Sequence, residues 1–475
     1  MKTLYLYITL FLISFSSFAQ DSLLNYLEIA ANNNPALLQK FNEYQAALQK
    51  VPQVGSLPDP ELSIGVFLKP MELIGGNQVA DIRLMQMFPW FGVLKNAKDE
   101  MSLMAKAKFE SFRDAKLQVF YDIQRTWNEL QKVEQDIRIS EKNVEILRTI
   151  ERLAIVKFKA ISTGASGSSS LSSSISSNNS QGASSNSSGM NSMGGGSGNT
   201  LNSNSLQQPS SMQSSSMGSQ AGGSGLADLY RIQMEIGELD NNISLLKNQQ
   251  STIVARFNAY LNRPVKSTVT IPKTLIADSL VTSIESVSDS MLVNNPMLVM
   301  LNFEKQSLDA RQKMVTQMGY PMVGLGLNYS LINKNPMSTS SMNGKDMIMP
   351  MVTVTLPIYR KKYNAMKSEA NLLKTASEEN YQATVNALQV EYYQAIQLYQ
   401  DAERRIKLYE NQSQLAHKTL DIMIKSFSAS GSGLSDILRI RQLVLDYETR
   451  KVEAITDFNT SIAWLNRLMA SSQGK

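Results

Sequence analysis

Residues 78–92 read QVADIRLMQMFPWFG, and a charged helical pattern free of Gly and Pro follows as far as Ile161. The first ten residues alternate with the period of a strand, and the alternation stops at Phe88-Pro89-Trp90-Phe91-Gly92. The helical pattern after it covers about seventy residues. At ~1.5 Å of rise per residue that is roughly 100 Å. Helices in globular proteins average three to four turns, so something other than a compact core sets this length. The join is made a second time. Residues 347–357, MIMPMVTVTLP, alternate, stop at Pro357, and lead into an unbroken helical pattern that reaches Phe427.

Composition narrows the possibilities. The net charge of +5 over 475 residues is spread as mixed Lys, Arg, Asp and Glu along the helical patterns, which reads as solvated faces with no basic block for nucleic acid. One His and no Cys remove most metal and nucleophile chemistry. No nucleophile, base and orienting group can be assembled, so the chain is read as a non-enzyme without a cofactor. At the N-terminus Lys2 precedes LYLYITLFLISF and the small residues Ser16-Ser17-Phe18-Ala19, the pattern of a secretory signal over 1–19 cleaved after Ala19. A buried N-terminal helix is the alternative. No Cys follows the cut to carry a lipid. No later stretch approaches the ~20 apolar residues of a membrane helix.

Self-comparison divides the rest in two. Asn32-Asn33-Asn34-Pro35 opens one half, and Asn294-Asn295-Pro296 the other. The first repeat, 20–264, is expected to hold a helical segment, strands at 61–69 and 78–88, a long helix at 92–161 and a helix at 226–262. A connector, 265–281, follows. The second repeat, 282–475, is expected to hold a helical segment, strands at 321–331 and 347–357, a long helix at 360–427 and a helix at 434–470. Polar loops at 70–77 and 332–346 join the strands of each pair. The fold class is therefore mostly α with a small β portion.

The helices carry heptad seams stepping by threes and fours: Leu229, Ile232, Ile236, Leu239, Ile243, Leu246, Gln250, Ile253, Phe257 and Tyr260; Ile437, Ile440, Val444, Tyr447, Lys451, Ala454, Phe458, Ser461 and Leu465; and Tyr392, Ala395, Tyr399, Ala402, Ile406, Tyr409, Ser413, Ala416, Leu420 and Met423. A seven-residue repeat imposes left-handed knobs-into-holes packing. The first long helix is less regular, with one stripe through Phe120, Ile123, Trp127, Leu130, Ile137 and Val144 and a second through Ile139, Ile146 and Leu153, as suits contact on two sides. In the strands, Leu62, Ile64, Val66 and Leu68 oppose Ser63, Gly65 and Phe67, and Val352 and Val354 oppose Thr353 and Thr355. Apolar on one face and small or polar on the other is the pattern of a membrane barrel strand. Two hairpins of a soluble sheet give the same pattern. Four strands cannot close a barrel alone, so a barrel would require several chains.

Residues 162–225 are dominated by Ser, Gly and Asn and carry no charge. Such a composition buries too little apolar surface to order itself. Phe158 aligns with Phe427, and Leu226-Ala227-Asp228 with Leu434-Ser435-Asp436, where the other half needs only Ser428–Gly433. The segment is thus an insertion at one hairpin tip. Its Met190, Met193, Met212 and Met217 are soft thioethers suited to Cu(I), although a linker tolerant of Met explains them as well. His417 reads as a helix-face residue.

In this order the Asn-Asn-Pro openings, Leu57-Pro58-Asp59-Pro60, Phe88-Pro89-Trp90-Phe91-Gly92 and Phe427…Gly431…Ser435-Asp436-Ile437-Leu438 resemble the TolC-like outer membrane efflux proteins, in the branch of heavy-metal and multidrug exit ducts. The resemblance covers nearly the whole mature chain. It implies a homotrimer in which three sets of four strands make a twelve-stranded β-barrel in outer-membrane lipid. The helices would then form a periplasmic α-helical barrel, with the short helices of each half stacked end to end beside a long one. It also implies a periplasmic adaptor and an inner-membrane pump as partners. The adaptor contact would fall at the tips, on Phe158, Leu226, Asp228, Phe427, Gly431, Leu434, Ser435 and Asp436. Asp421 would gate the entrance, and Phe88, Pro89, Trp90, Phe91 and Pro357 would mark the membrane interface. Solvated helix ends explain the aspartates too, with Asp228 and Asp436 in a first turn favoured by the helix dipole. A duct for protein secretion would use the same fold. A soluble periplasmic coiled-coil scaffold explains the seams alone.

Overall fold

The structure, a computed structural model, describes residues 23–164, 224–280, 283–428 and 433–470. The signal segment, nearly all of the insertion and Gly431 lie outside the described residues. The elements run α1 (Leu23–Asn33), α2 (Pro35–Gly55), β1 (Glu61–Leu73), β2 (Gly76–Phe88), α3 (Val93–Gly164), α4 (Ser224–Tyr260), α5 (Ile284–Asn294), α6 (Pro296–Met318), β3 (Met322–Asn333), β4 (Met347–Thr355), α7 (Arg360–Ser428) and α8 (Leu434–Leu468). α3 has 72 residues and α7 has 69, so each is roughly 100 Å long.

Charged pairs give the helix registers, since each is worth little in stability at the surface. Lys247 meets Glu141 and Arg256 meets Glu129, so α4 runs antiparallel along the second part of α3. Tyr44 packs on Phe109 and Phe41 on Phe112, so α2 runs antiparallel along the first part. The same arrangement holds for α7. Lys305–Glu378 and Arg311–Glu369 set α6 along its first part, and Arg405–Asp457 and His417–Glu448 set α8 along its second. α3 also packs on α6 and α8, which makes it the central element with neighbours on two sides.

The two helical segments expected as continuous are each broken at an Asn-Pro step. The residue before proline is pushed out of the helical region. Asn34 and Asn295 accordingly have extended backbones and become N-caps of α2 and α6. Asn34 Oδ1 accepts from the backbone N–H of Ala36 and Leu37, and Asn295 Oδ1 from that of Met297. Each side chain also reaches the end of the neighbouring short helix. Asn34 Nδ2 donates to the Tyr260 carbonyl at 2.8 Å, and Asn295 Nδ2 to the Leu468 carbonyl at 3.4 Å. One residue type therefore caps the upper helix and satisfies a C-terminal carbonyl of the lower one. Asn34→Ala should cost about 1–2 kcal/mol and Asn295→Ala less, because its second bond is longer. Thermal midpoints of the two variants, with amide exchange in the first turns of α2 and α6, check the order.

The largest core cluster follows the seams. Leu130, Val133, Ile137, Val144, Leu147 and Ile150 of α3 meet Ile232, Leu239 and Ile243 of α4 and Ala416, Leu420, Ile437, Leu438 and Val444 of α7 and α8. Burial on α3 is broader than the two stripes, since Gln131, Asp136, Ser140 and Asn143 are buried as well. The connector is a strap held by side chains. Gln135 and Arg138 donate to the Lys273 carbonyl, and Asn459 donates to the Ile276 carbonyl and accepts from Asp278 N–H.

Asp136 stands out in that core, with Oδ1 lacking a partner. Burial pushes its carboxyl from 3.8 up to about 6, with Lys132 opposing and Glu453 adding to the rise. An acid whose folded pKa is raised costs nothing below 3.8, where both states are protonated, and carries its full penalty above about 6. A shift of this size is worth about 3 kcal/mol. Asp136→Asn should therefore stabilise the protein by about 2–3 kcal/mol near neutral pH and by nothing near pH 4. Unfolding midpoints at the two pH values test the sign.

Candidate functional site: the strand face and the hairpin tips

The four strands form one antiparallel sheet in the order β1-β2-β3-β4. The β2–β3 pairing joins the two halves, Leu84 facing Leu327 and Ile82 facing Tyr329. The loop expected at 70–77 is a continuation of the ladder instead. β1 runs to Leu73, which pairs with Gly76 across a two-residue turn at Ile74-Gly75. Gly76 sits at φ +121°, and a Cβ there would lie 2.5 Å from the Asn333 carbonyl oxygen, so only glycine makes this turn. The segment was read as a polar loop although only Glu72 and Asn77 in it are polar, and a tight turn needs only its glycines.

Register assigns the two faces. Leu62, Leu84, Leu327 and Pro350 form one row, Ile64, Ile82, Tyr329 and Ile348 the next, and Leu325 and Val352 another. Most of these side chains are exposed: Ile64 by 65%, Val66 by 69% and Val352 by 70%. The opposite face carries Ser63, Gly65, Asp81, Arg83, Gly324, Gly326, Asn328, Ser330 and Thr353. Among the described residues, β1 and β4 each leave one edge unpaired. Pro70 and Pro350 lie on these edge strands, where a missing N–H breaks fewest bonds.

At the strand–helix join, β2 ends at Phe88 and Pro89 stops the ladder; β4 ends at Thr355, two residues before Pro357. Trp90 stacks on Tyr320 with ring centroids 5.4 Å apart, while Phe91 is 87% exposed. The two aromatics thus have different surroundings, one packed in the join and one presented outward. Gly92, at φ +87°, turns the chain into α3, where a Cβ would strike the Gln317 side chain. Gln317 in turn accepts from Asn96 at 2.6 Å, tying the end of α6 to the start of α3. Leu57, Phe88, Pro89, Trp90, Phe91, Pro321, Val323 and Leu325 line an apolar groove of about 550 Å³ beside the join.

At the opposite end the hairpins α3–α4 and α7–α8 lie side by side. Phe427 and Leu434 are buried, whereas Ser435, Asp436 and Asp421 are exposed and Leu226 is 46% exposed. Lys157 Nζ stands 4.2 Å above the Phe427 ring. Arg231 reaches the Ser435 hydroxyl at 3.4 Å. The side chain of Phe158 lies outside the described residues. Asp436 sits in the first turn of α8, but α4 starts at Ser224, which moves Asp228 past its first turn and away from the dipole position. Partial burial raises the Asp228 carboxyl, with Arg231 opposing. His417 Nε2 pairs with Glu448 at 2.8 Å on the helix face.

The strongest tip contact was not foreseen. Arg441, buried in α8, donates to Glu235 of α4 at 2.6 Å. Its signal in the sequence is faint: it occupies a position flanking the seam residues Ile437, Ile440 and Val444, where an arginine reads as surface charge. Among the described residues no group of His, Cys, Asp and Glu could hold a metal ion.

No family model and no curated protein matches the chain. Solved structures do. The outer-membrane channel OprN is 12% identical with a TM-score of 0.69, covering 95% of this chain and 90% of that one. The outer membrane protein VceC from Vibrio cholerae is 12% identical with a TM-score of 0.66, covering 94% of this chain and 95% of that one. The open state of the MtrE outer membrane channel from Neisseria gonorrhoeae is likewise 12% identical at 0.66, covering 94% and 88%. The chain therefore has the fold of the TolC-like outer-membrane channels.

Proposed function

We propose that three copies of this chain form an outer-membrane exit duct, through which an inner-membrane pump and a periplasmic adaptor pass small molecules, drugs or metal ions out of the cell. The carrying observation is the sheet, whose exposed face is apolar while both of its edges are unpaired among the described strands. Both features are costly in water, and pairing β4 of one copy with β1 of the next removes them together. Three sheets of four strands clear the minimum of about eight for a closed barrel. On the helices, Leu408, Leu415 and Ile422 of α7 form an exposed heptad stripe, and Tyr230 and Met234 are exposed one turn apart on α4. These are the faces that neighbouring copies would cover. The two repeats, 20–264 and 282–475, would then alternate around a periplasmic tube. Its mouth would be the hairpin tips, where Asp421, Ser435 and Asp436 are exposed to an adaptor.

Detergent extraction should recover a trimer from the outer-membrane fraction, and deletion of the gene should sensitise cells to metals or drugs. A monomer confined to the soluble periplasmic fraction would overturn the proposal. Removing 166–222 is expected to leave the trimer intact, because the matching tip of the other hairpin needs no such segment; native gels of the deletion protein test this.

A further inference from the structure

The methionines of β2, β3 and β4 all lie on one face of the sheet. By register they are Met85, Met87, Met322, Met347, Met349 and Met351, and each belongs to the face of Gly324, Gly326, Asn328, Ser330 and Thr353. The opposite face takes its apolar residues from Leu, Ile, Val, Phe and Ala and has no methionine from these strands. This segregation runs against simple hydrophobicity. An apolar thioether is placed where, Ile332 apart, the neighbours from these strands are small, polar or charged, and withheld from the face where apolar side chains gather. β-branched residues also fit strands better. The property that Met has and Leu lacks is a soft, polarisable sulfur.

The arrangement leaves room for these sulfurs to converge. Met85 and Met351 flank Gly326 in one row, and Met87 flanks Gly324 in the next, so no side chain rises between β2 and β4 in the first row. Strands two apart are separated by about 10 Å, a span that two methionine side chains leaning inward can close. Met87 already lies over Gly324, where a Cβ would be 2.5 Å from its sulfur. Beside Met349, Asn328 is buried to 8% exposure and its Oδ1 has no hydrogen-bond partner. A buried, unpartnered acceptor is costly unless something occupies it.

We propose that this thioether face binds soft monovalent cations, of the class of Cu(I) and Ag(I), with Met85 and Met351 as the sulfur donors that meet across Gly326, Met87 and Met349 as the next sulfurs along β2 and β4, and Asn328 Oδ1 as an oxygen beside Met349. It rests on the duct reading, in which this face lines the lumen and the cation is cargo in transit. In the trimer the site repeats three times around the bore. Neutral thioether donors favour soft cations over hard divalent ions and hold them without deprotonation, as does a neutral amide oxygen, so capture does not depend on pH.

The test uses the full-length trimer in detergent with Ag(I) as the probe. Ag(I) should protect Met85, Met87, Met349 and Met351 from peroxide oxidation, read by peptide mass spectrometry, and Mg(II) should not. Met85→Leu/Met351→Leu should weaken Ag(I) binding roughly tenfold or more, while Met190→Leu/Met193→Leu in the insertion should leave the protection of the strand methionines unchanged. Equal oxidation of the strand methionines with and without Ag(I) would overturn the site, even where the double variant fails to assemble. Protection of the same residues by an apolar drug and not by Ag(I) would overturn it in favour of a drug-lining surface. Cell susceptibility separates the two levels: a strain that loses silver tolerance and keeps drug tolerance with Met85→Leu/Met351→Leu supports the site. Protection in vitro from a chain that confers no tolerance to anything would overturn the duct and leave the site standing.

Discussion

Leu327→Arg is expected to abolish the assembled outer-membrane trimer. Leu327 lies at the middle of β3, in the row Leu62–Leu84–Leu327–Pro350, and 48% of it is exposed on the apolar face. An arginine at the bilayer midplane of a β-barrel costs about 2–4 kcal/mol. The trimer would carry that cost three times over, a total of roughly 6–12 kcal/mol, comparable with the whole stability of an ordinary domain. Thr353→Arg is the matched control. It lies on the other face of the same sheet, beside Gly324, where in the proposed duct a charge would meet water. The trimer band in outer-membrane fractions should vanish for Leu327→Arg and persist for Thr353→Arg. Equal loss from both would mean that the sheet tolerates arginine nowhere, and equal persistence would mean that the apolar face does not touch lipid.

The same pair of substitutions shows what the sequence disclosed and what it withheld. Facing is legible because strand side chains alternate with period two, so Leu325 and Val352 separate from Gly324 and Thr353 without coordinates. The heptad seams are legible for a similar reason: Ile232, Leu239 and Ile243 on α4 recur at the spacing that buries them. The breaks at Asn34 and Asn295 were missed, since each segment was read as one helix, although their signal is local: the following proline forbids the helical backbone one residue earlier. Their second bonds, to the carbonyls of Tyr260 and Leu468, join residues far apart in the chain, and no local pattern records them. The β1–β2 turn was hidden because Pro70, Gly75 and Gly76 within 70–77 resemble a loop, while the pairing of Leu73 with Gly76 depends on backbone geometry. Asp228 was misplaced by a shift of a few residues in the start of α4, the kind of boundary that sequence locates least well. The methionine face required register, because only the pairings of β2, β3 and β4 bring its members onto one surface.

Glu235→Ala should destabilise the hairpin tips more than any other single substitution there. The Arg441 side chain is 4% exposed, and among the described residues its salt bridge is to Glu235, with Nε and Nη1 left without hydrogen bonds. Burial holds the guanidinium below its ordinary pKa, and Glu235 and Glu238 oppose that shift by favouring the charged form. Removing the carboxylate strands a buried charge, a change that costs about 3–5 kcal/mol in comparable sites. Glu235 keeps 23% exposure, which lets water reach the vacated space, so the cost belongs at about 3 kcal/mol. The exposed contact between Arg231 and Ser435 offers no such penalty, and Arg231→Ala should change stability by less than about 1 kcal/mol. Arg441→Met/Glu235→Leu provides the decisive contrast. It removes both charges and fills the space with apolar volume beside Ile437, Leu438 and Val444, so it should fall near wild type or above it. Amide exchange over 226–240 and 434–447 reads the difference directly: faster in Glu235→Ala, unchanged in Arg231→Ala, and restored in the double variant. If exchange in the double variant stays as fast as in Glu235→Ala, the ion pair holds the two hairpins together by its specific geometry, and the desolvation argument fails.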